Sequence, residues 1–299
     1  MEIKYGIKGN YMDVTNICLN KLNQNNIITI PAGDYKRTDF FTDPLIGVEK
    51  YIFIKLKDIT YIYDANFEIY INLDTNTVTK LYTSDIFNKT NLLHSKIKLK
   101  YGNLNEELPE QKMSIMYLNG SEKILEIGGN IGRNSLIISS ILKDSGNLVT
   151  LESDEIISKQ LEENKVLNNF NFHIENSALS KRKLIQSGWD TIPSDTLIDG
   201  YKWVNTITYD ELKQKYSINF DTLVLDCEGA FYYILMDMPE ILNNINLIIM
   251  ENDYKILSHK QYIDTILKEN NFYRDYCEEG GWGPCYKNFF EVWKRNNLI

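Results

Sequence analysis

Acidic side chains recur where short apolar runs end in the second half of this chain. Glu126 stands in Lys-Ile-Leu-Glu-Ile-Gly-Gly-Asn-Ile-Gly-Arg, residues 123–133. Glu152 follows the run 148–151, Asp226 and Glu228 follow 222–225, and Glu251, Asn252 and Asp253 follow 247–250, with His259 a few residues on. A carboxylate fixed at the end of a buried strand can accept ribose hydroxyls, hold an ammonium group or take up a proton. Several oxygen donors together can also ligate magnesium. Beyond Glu126 come Gly128, Gly129, Asn130 and Gly132, small residues that let backbone turn tightly or approach a ligand closely.

Such residues need a scaffold that gathers strand ends. Ile124, Leu125 and Ile127 suit a strand buried on both faces. Gly132 opens a helical run through Leu136, Ile137, Ile138, Ile141 and Leu142, giving strand, glycine turn and helix, the first half of a nucleotide-binding βαβ unit. The spacing Glu-x-Gly-x-Asn-x-Gly is not the G-x-G-x-x-G phosphate fingerprint, and Glu126 would repel a pyrophosphate while suiting an ammonium. That favours S-adenosylmethionine over NAD. Further strands are expected at 148–151, 170–174, 203–207, 222–225 and 247–250, with helices between them. Ser153 is expected to cap one helix, and Thr208/Glu211 and Ser258/Gln261 have capping-box spacing for two others. Residues 179–200 read as a polar excursion. Residues 272–276 and 289–293 read as a closing antiparallel pair around Gly280-Gly-Trp-Gly-Pro284. The expected fold is α/β: a Rossmann-like, mostly parallel sheet with helices on both faces and an antiparallel edge hairpin.

The chain changes character before that. Short β-branched and aromatic runs at 27–30, 50–55, 60–63, 67–73 and 77–82, separated by turn signals such as Lys57-Asp58, predict a small β-rich N-terminal domain. One helix is expected near 13–22, and the loop with Asp34, Arg37, Asp39 and Asp43 reads as solvated charge. The expected organisation is a β-rich accessory domain over 1–92, a connector over 93–120 with a helix at 110–118 above the crevice, and a catalytic domain over 121–299. A net charge of −9 weighs against nucleic acid as the main partner. The four cysteines lack C-x-x-C spacing and read as buried free thiols. No membrane span or signal segment is read, so a cytoplasmic location is expected.

In order along the chain, Ile127-Gly-Gly-Asn-Ile-Gly132, Leu151-Glu152, Glu163-Asn164 with Leu167-Asn168, Asn176-Ser-Ala-Leu-Ser180, Thr206-Ile-Thr-Tyr-Asp-Glu-Leu212 and Leu225-Asp-Cys-Glu-Gly229 resemble FkbM-type methyltransferases. The resemblance covers residues 110–255. It departs at Glu126 and Gly129, where that family has Asp and Ala, at Ser153 in place of Pro, and at Val224 in place of Lys. The first 92 residues lie outside it. It implies a class I S-adenosylmethionine-dependent enzyme that methylates hydroxyls of sugars or polyketides.

With that fold, Glu126, Gly128, Asn130 and Gly132 are expected to hold the methionine end of the cofactor. Glu152 would accept the ribose hydroxyls, and Ser177 and Ala178 would border the adenine. Asp226 is expected at the reacting centre, as base or as anchor for the methionine ammonium. Glu228 would act beside it or cap the next helix, and His259 is an alternative base. Magnesium held by Asp226 with Glu251, Asn252 and Asp253 is possible, but a metal-free site is favoured. Trp282 reads equally as a lid over a sugar or as a hairpin tip. The resulting expectation is an O-methyltransferase for a small-molecule or glycan hydroxyl, with homo-oligomerisation through the N-terminal domain open. Rivals are a nicotinamide enzyme, a methyltransferase for protein or lipid, and a non-catalytic interaction protein on the same architecture.

Overall fold

The computed structural model describes residues 1–296 apart from 46, 47, 49, 58 and 66, so part of the turn expected at Lys57-Asp58 lies outside the described residues. The chain divides into two compact units, Met1–Lys89 and Thr90–Ile299. The first contains two four-stranded antiparallel sheets. One is ordered Asn10–Asp13, Glu2–Ile7, Tyr51–Leu56, Ile59–Tyr63; the other Asn23–Gln24, Ile27–Ile30, Phe67–Asn72, Thr77–Tyr82. Ile3, Tyr5, Ile52 and Ile54 from one sheet share a core with Ile28, Ile30, Ile69 and Ile71 from the other. The alternation at 67–73 therefore faces inward as expected, while the two strands before residue 14 were not anticipated. The charged loop at Asp34 is a helix, Asp34–Phe41, against which fully buried Lys50 pairs with Asp34 and Asp43.

In the second unit the strands are β1 (Ile124–Ile127), β2 (Leu148–Leu151), β3 (His173–Glu175), β4 (Thr222–Leu225), β5 (Leu247–Glu251), β6 (Phe272–Glu278) and β7 (Phe290–Arg295). The helices are α1 (Leu108–Tyr117), α2 (Arg133–Ile141), α3 (Glu155–Leu167), α4 (Tyr209–Tyr216), α5 (Phe231–Asp237) and α6 (Leu257–Glu269). The sheet runs β3-β2-β1-β4-β5-β7-β6, parallel except for β7. This is a Rossmann-like, mostly parallel sheet with an antiparallel hairpin at one edge. Every residue of β1, β2 and β4 is buried, as a strand covered by helices on both faces requires. The closing pair is an antiparallel hairpin at the edge of the sheet as expected, with β7 pairing to β5 and β6 outermost.

Several local expectations need correction. The cap of α3 is Asp154, whose side chain accepts the Ile156 and Ile157 amides, rather than Ser153. The Thr208/Glu211 capping box forms, whereas α6 starts at Leu257 without a side-chain cap, so Ser258 and Gln261 do not make one. The excursion at 179–200 carries a hairpin, Leu184–Ser187 with Asp190–Pro193, which Lys202–Val204 extends to three strands. Asn164 and Asn168 have a structural role: their side-chain carbonyls accept the amides of Lys100, Tyr101 and Lys98, tying that upstream segment to α3.

Candidate functional site

The glycine turn after β1 is held by β2 and pressed against β4. The amides of Gly128 and Gly129 both donate to the Leu151 carbonyl, at 3.0 and 2.9 Å. Gly128 has φ +94°, and a Cβ there would lie 1.5 Å from the Asp226 carbonyl oxygen. No other residue type fits without moving backbone. Asn130, also left-handed at φ +46°, donates its amide to Glu152 Oε2 at 2.9 Å and its side-chain amide to Glu107 Oε1 at 3.1 Å. Arg133, the first residue of α2, pairs with the same Glu107 oxygen at 2.7 Å.

Glu152 is only 6% exposed, and its other oxygen accepts the Asp154 amide at 2.7 Å. Burial raises its pKa, while the Asp154 and Asn130 amides pull the other way. A carboxylate has about four acceptor sites, so the backbone amides around Glu152 leave spare capacity for a ligand hydroxyl. Glu152 lines a cavity of about 320 Å³ together with Gly128, Asn130, Ser177, Asp226 and Glu228. The parallel strand ends thus gather these residues as the sequence predicted. Ser177 donates to Glu175 at 3.2 Å and borders the cavity beside Ala178.

The acidic group continues across β4 and β5. Asp226, Glu251 and Asp253 each offer a carboxylate oxygen within 4.8 Å of the others. Asp253 Oδ1 accepts the Gly229 amide at 2.7 Å, fixing the left-handed Glu228–Gly229 turn. Burial, then neighbouring acids, pushes Asp226 well above the usual carboxylate range. Burial and the facing Glu110 carboxyl push Glu251 up to about 11, and burial with Glu228 pushes Asp253 up to about 7. Glu228 does not cap α5, which has no side-chain cap.

Five residues considered for the site lie elsewhere. Glu126 is 2% exposed, accepts the Ser135 hydroxyl and borders a second, much smaller space behind the glycine turn. Gly132 packs toward Leu161, where a Cβ would lie 2.4 Å from Cδ1, and does not line the large cavity. His259 stacks flat on Tyr232, ring centroids 3.8 Å apart, away from the cavity lining. Asn252 is fully buried and turned to the segment before β7, its side-chain amide donating to the Asn288 carbonyl at 2.6 Å. Trp282 is exposed and does not line the cavity.

Sequence reasoning missed Glu107, Glu110, Gln186 and Trp189. The first two come from α1 and the residue before it; the others come from the hairpin at 184–193. Gln186 is nearly buried on the cavity wall, with its Oε1 lacking a partner.

Glu126 supplies a stability prediction that needs no ligand. Burial pushes its pKa up to about 7 against the opposing Ser135 hydroxyl. A raised carboxyl favours the fold while protonated, and that contribution is lost as pH climbs from about 4.5 to about 7. Glu126→Gln is expected to match the parent near pH 4.5 and to exceed it above pH 7.5 by on the order of 3 kcal/mol. Urea melts at the two pH values check this; equal differences at both would refute it.

No protein-family profile and no curated protein matches the sequence. Solved structures similar to this chain include a ribosomal protein L11 methylase from Lactobacillus delbrueckii subsp. bulgaricus, at 15% identity and TM-score 0.42, covering 66% of this chain and 81% of that one. An O-methyltransferase from Bacillus cereus in complex with SAH matches at 16% identity and TM-score 0.40, covering 71% and 91%. A protein of the NADB-Rossmann superfamily from Streptococcus agalactiae matches at 11% and 0.41, covering 64% and 71%. Likenesses this distant leave the chemistry to be read from this chain's own residues. Among the described residues, no helix is long and apolar enough to cross a membrane.

Proposed function

We propose that this chain is an S-adenosylmethionine-dependent methyltransferase that alkylates a hydroxyl oxygen, with a sugar or glycan precursor as the acceptor. The observation that carries the reading is Glu152: a nearly buried carboxylate at the end of β2, with spare acceptor capacity, on the wall of a cavity it shares with the glycine turn and Asp226. That is the ribose-recognition position of a nucleotide fold.

A dinucleotide fits the same place poorly. In such folds the pyrophosphate sits at the N-terminus of the first helix. Here Glu107 occupies that end of α2, and the Asn130 side chain and Arg133 guanidinium that a phosphate would use are already engaged by it. S-adenosylmethionine carries an ammonium and a sulfonium instead of phosphates, which suits a wall of carboxylates. When bound it supplies an already activated methyl group, leaving the protein to align the acceptor and remove its proton. Gly128 and Asn130 would shape the methionine end, Ser177 would border the base, and Asp226, on the wall of the same cavity, would take the proton from the acceptor hydroxyl. The sugar acceptor rests on the resemblance to FkbM-type enzymes.

Calorimetric titration of the full chain with S-adenosylmethionine tests the reading. Glu152→Ala is expected to weaken binding by roughly 10- to 100-fold, the worth of one or two hydrogen bonds to a charged group. Glu152→Gln, which keeps an acceptor for the Asn130 amide, should lose less. NAD is expected not to bind. Cofactor binding indifferent to Glu152, or NAD binding in its place, would overturn the assignment.

A further inference from the structure

The ends of β4 and β5 bring Asp226, Glu251 and Asp253 within 4.8 Å of one another. These strands are paired in parallel inside the sheet, so rigid backbone sets the juxtaposition. A second observation comes from α1. Glu110 is 6% exposed, its carboxyl lies within hydrogen-bonding reach of Glu251, and its Oε2 meets no donor other than a proton the two acids would share. It borders the same small space as Asp226 and Glu251. Asp253, 4% exposed, gives one oxygen to the Gly229 amide and leaves Oδ2 without a partner. Buried carboxylate oxygens that meet no donor call for a proton or a cation.

We propose that Asp226, Glu251 and Asp253, with Glu110 beside them, form a binding site for a hard divalent cation of the magnesium, manganese or calcium class. Every donor is a carboxylate oxygen, the ligand type such ions prefer. Oxygens around magnesium, manganese or calcium stand no more than roughly 4.2–4.8 Å apart, so a group this close can share one such ion. The site departs from the metal-free expectation of the sequence, and it takes no part of Asn252, which is turned away.

Asp226 and Glu251 also line the large cavity, so coordination positions not taken by protein face the place where an acceptor would bind. A cation there lowers the pKa of a bound hydroxyl. This deepens the methyltransferase reading and rests on it for the acceptor alone.

Manganese titration of the full chain, followed by the paramagnetic resonance of the free ion, tests the site. One saturable manganese per chain is expected, displaced by magnesium or calcium. Glu251→Gln and Asp253→Asn, both close in shape, should each weaken it by at least about tenfold. Unchanged melting temperatures would show that both variants fold; a control at exposed Glu155, Glu155→Gln, should bind as the parent does. Manganese binding that is absent, or equal in parent and variants, overturns the site and leaves shared protons as the account of the cluster. S-adenosylmethionine titrated into the same samples separates the two readings: cofactor binding without cation binding sinks only this proposal, and the reverse sinks only the preceding one.

Discussion

Replacing Asp226 by asparagine is expected to cut methyl transfer by roughly 100- to 10,000-fold, the usual worth of a positioned proton acceptor, while S-adenosylmethionine affinity changes far less. A neutral alcohol is a weak nucleophile even toward an activated methyl group, so the rate depends on where its proton goes. Asp226 lines the cavity at the end of β4, and burial with the surrounding acids raises its pKa. A raised carboxyl is the stronger base once ionised. Asparagine keeps the shape and removes both the charge and the ability to take a proton. Formation of S-adenosylhomocysteine with a panel of sugar hydroxyls, and methyl-label transfer into cell extract, would measure the rate; calorimetry would measure the affinity. An unchanged rate would remove Asp226 from the reacting centre. A parallel loss of affinity would assign it to the methionine ammonium instead.

The parts of this site that the sequence reveals are those governed by local rules. A strand covered on both faces must be apolar throughout, so 124–127, 148–151 and 222–225 announce themselves, and the residues just beyond them are necessarily at the crevice. Glu152 and Asp226 were legible for that reason. Glu107 and Glu110 were not, because helix α1 reaches the site by packing over the sheet, and nothing in its own periodicity says which carboxylates will face β5. The place of β7 between β5 and β6 is equally invisible: either order pairs the same antiparallel strands, and only the whole sheet decides. The hairpin at 184–193 hides in polar sequence because its first strand buries only Ile185 and Gln186, neighbours on opposite faces, and so shows no apolar alternation. His259 was considered because it follows the fifth strand, but its imidazole lies flat on Tyr232 and its neighbourhood is aromatic rather than catalytic.

Gly128 makes the contact between glycine turn and fourth strand testable, and Gly128→Ala is expected to be the most damaging single methyl group in the second unit. Its positive φ alone costs an L-residue about 1–3 kcal/mol. The new Cβ would also fall 1.5 Å from the Asp226 carbonyl oxygen, which is backbone and has no rotamer to escape into. Relief requires parting β1 from β4, and that moves Asp226 and the cavity wall together. Destabilisation of more than about 3 kcal/mol, with loss of cofactor binding, is the expected result. Gly132→Ala meets the end of the buried Leu161 side chain, 2.4 Å away, rather than backbone, and should cost less. Gly188→Ala also has positive φ but nothing within 4 Å, so it reports backbone strain alone. Urea melts of the three variants, paired with calorimetric titration, should therefore rank Gly128 above Gly132 above Gly188. If Gly128→Ala proved no worse than Gly188→Ala, the turn would not be pressed against β4, and the ligand would have to be held by some other wall of the cavity.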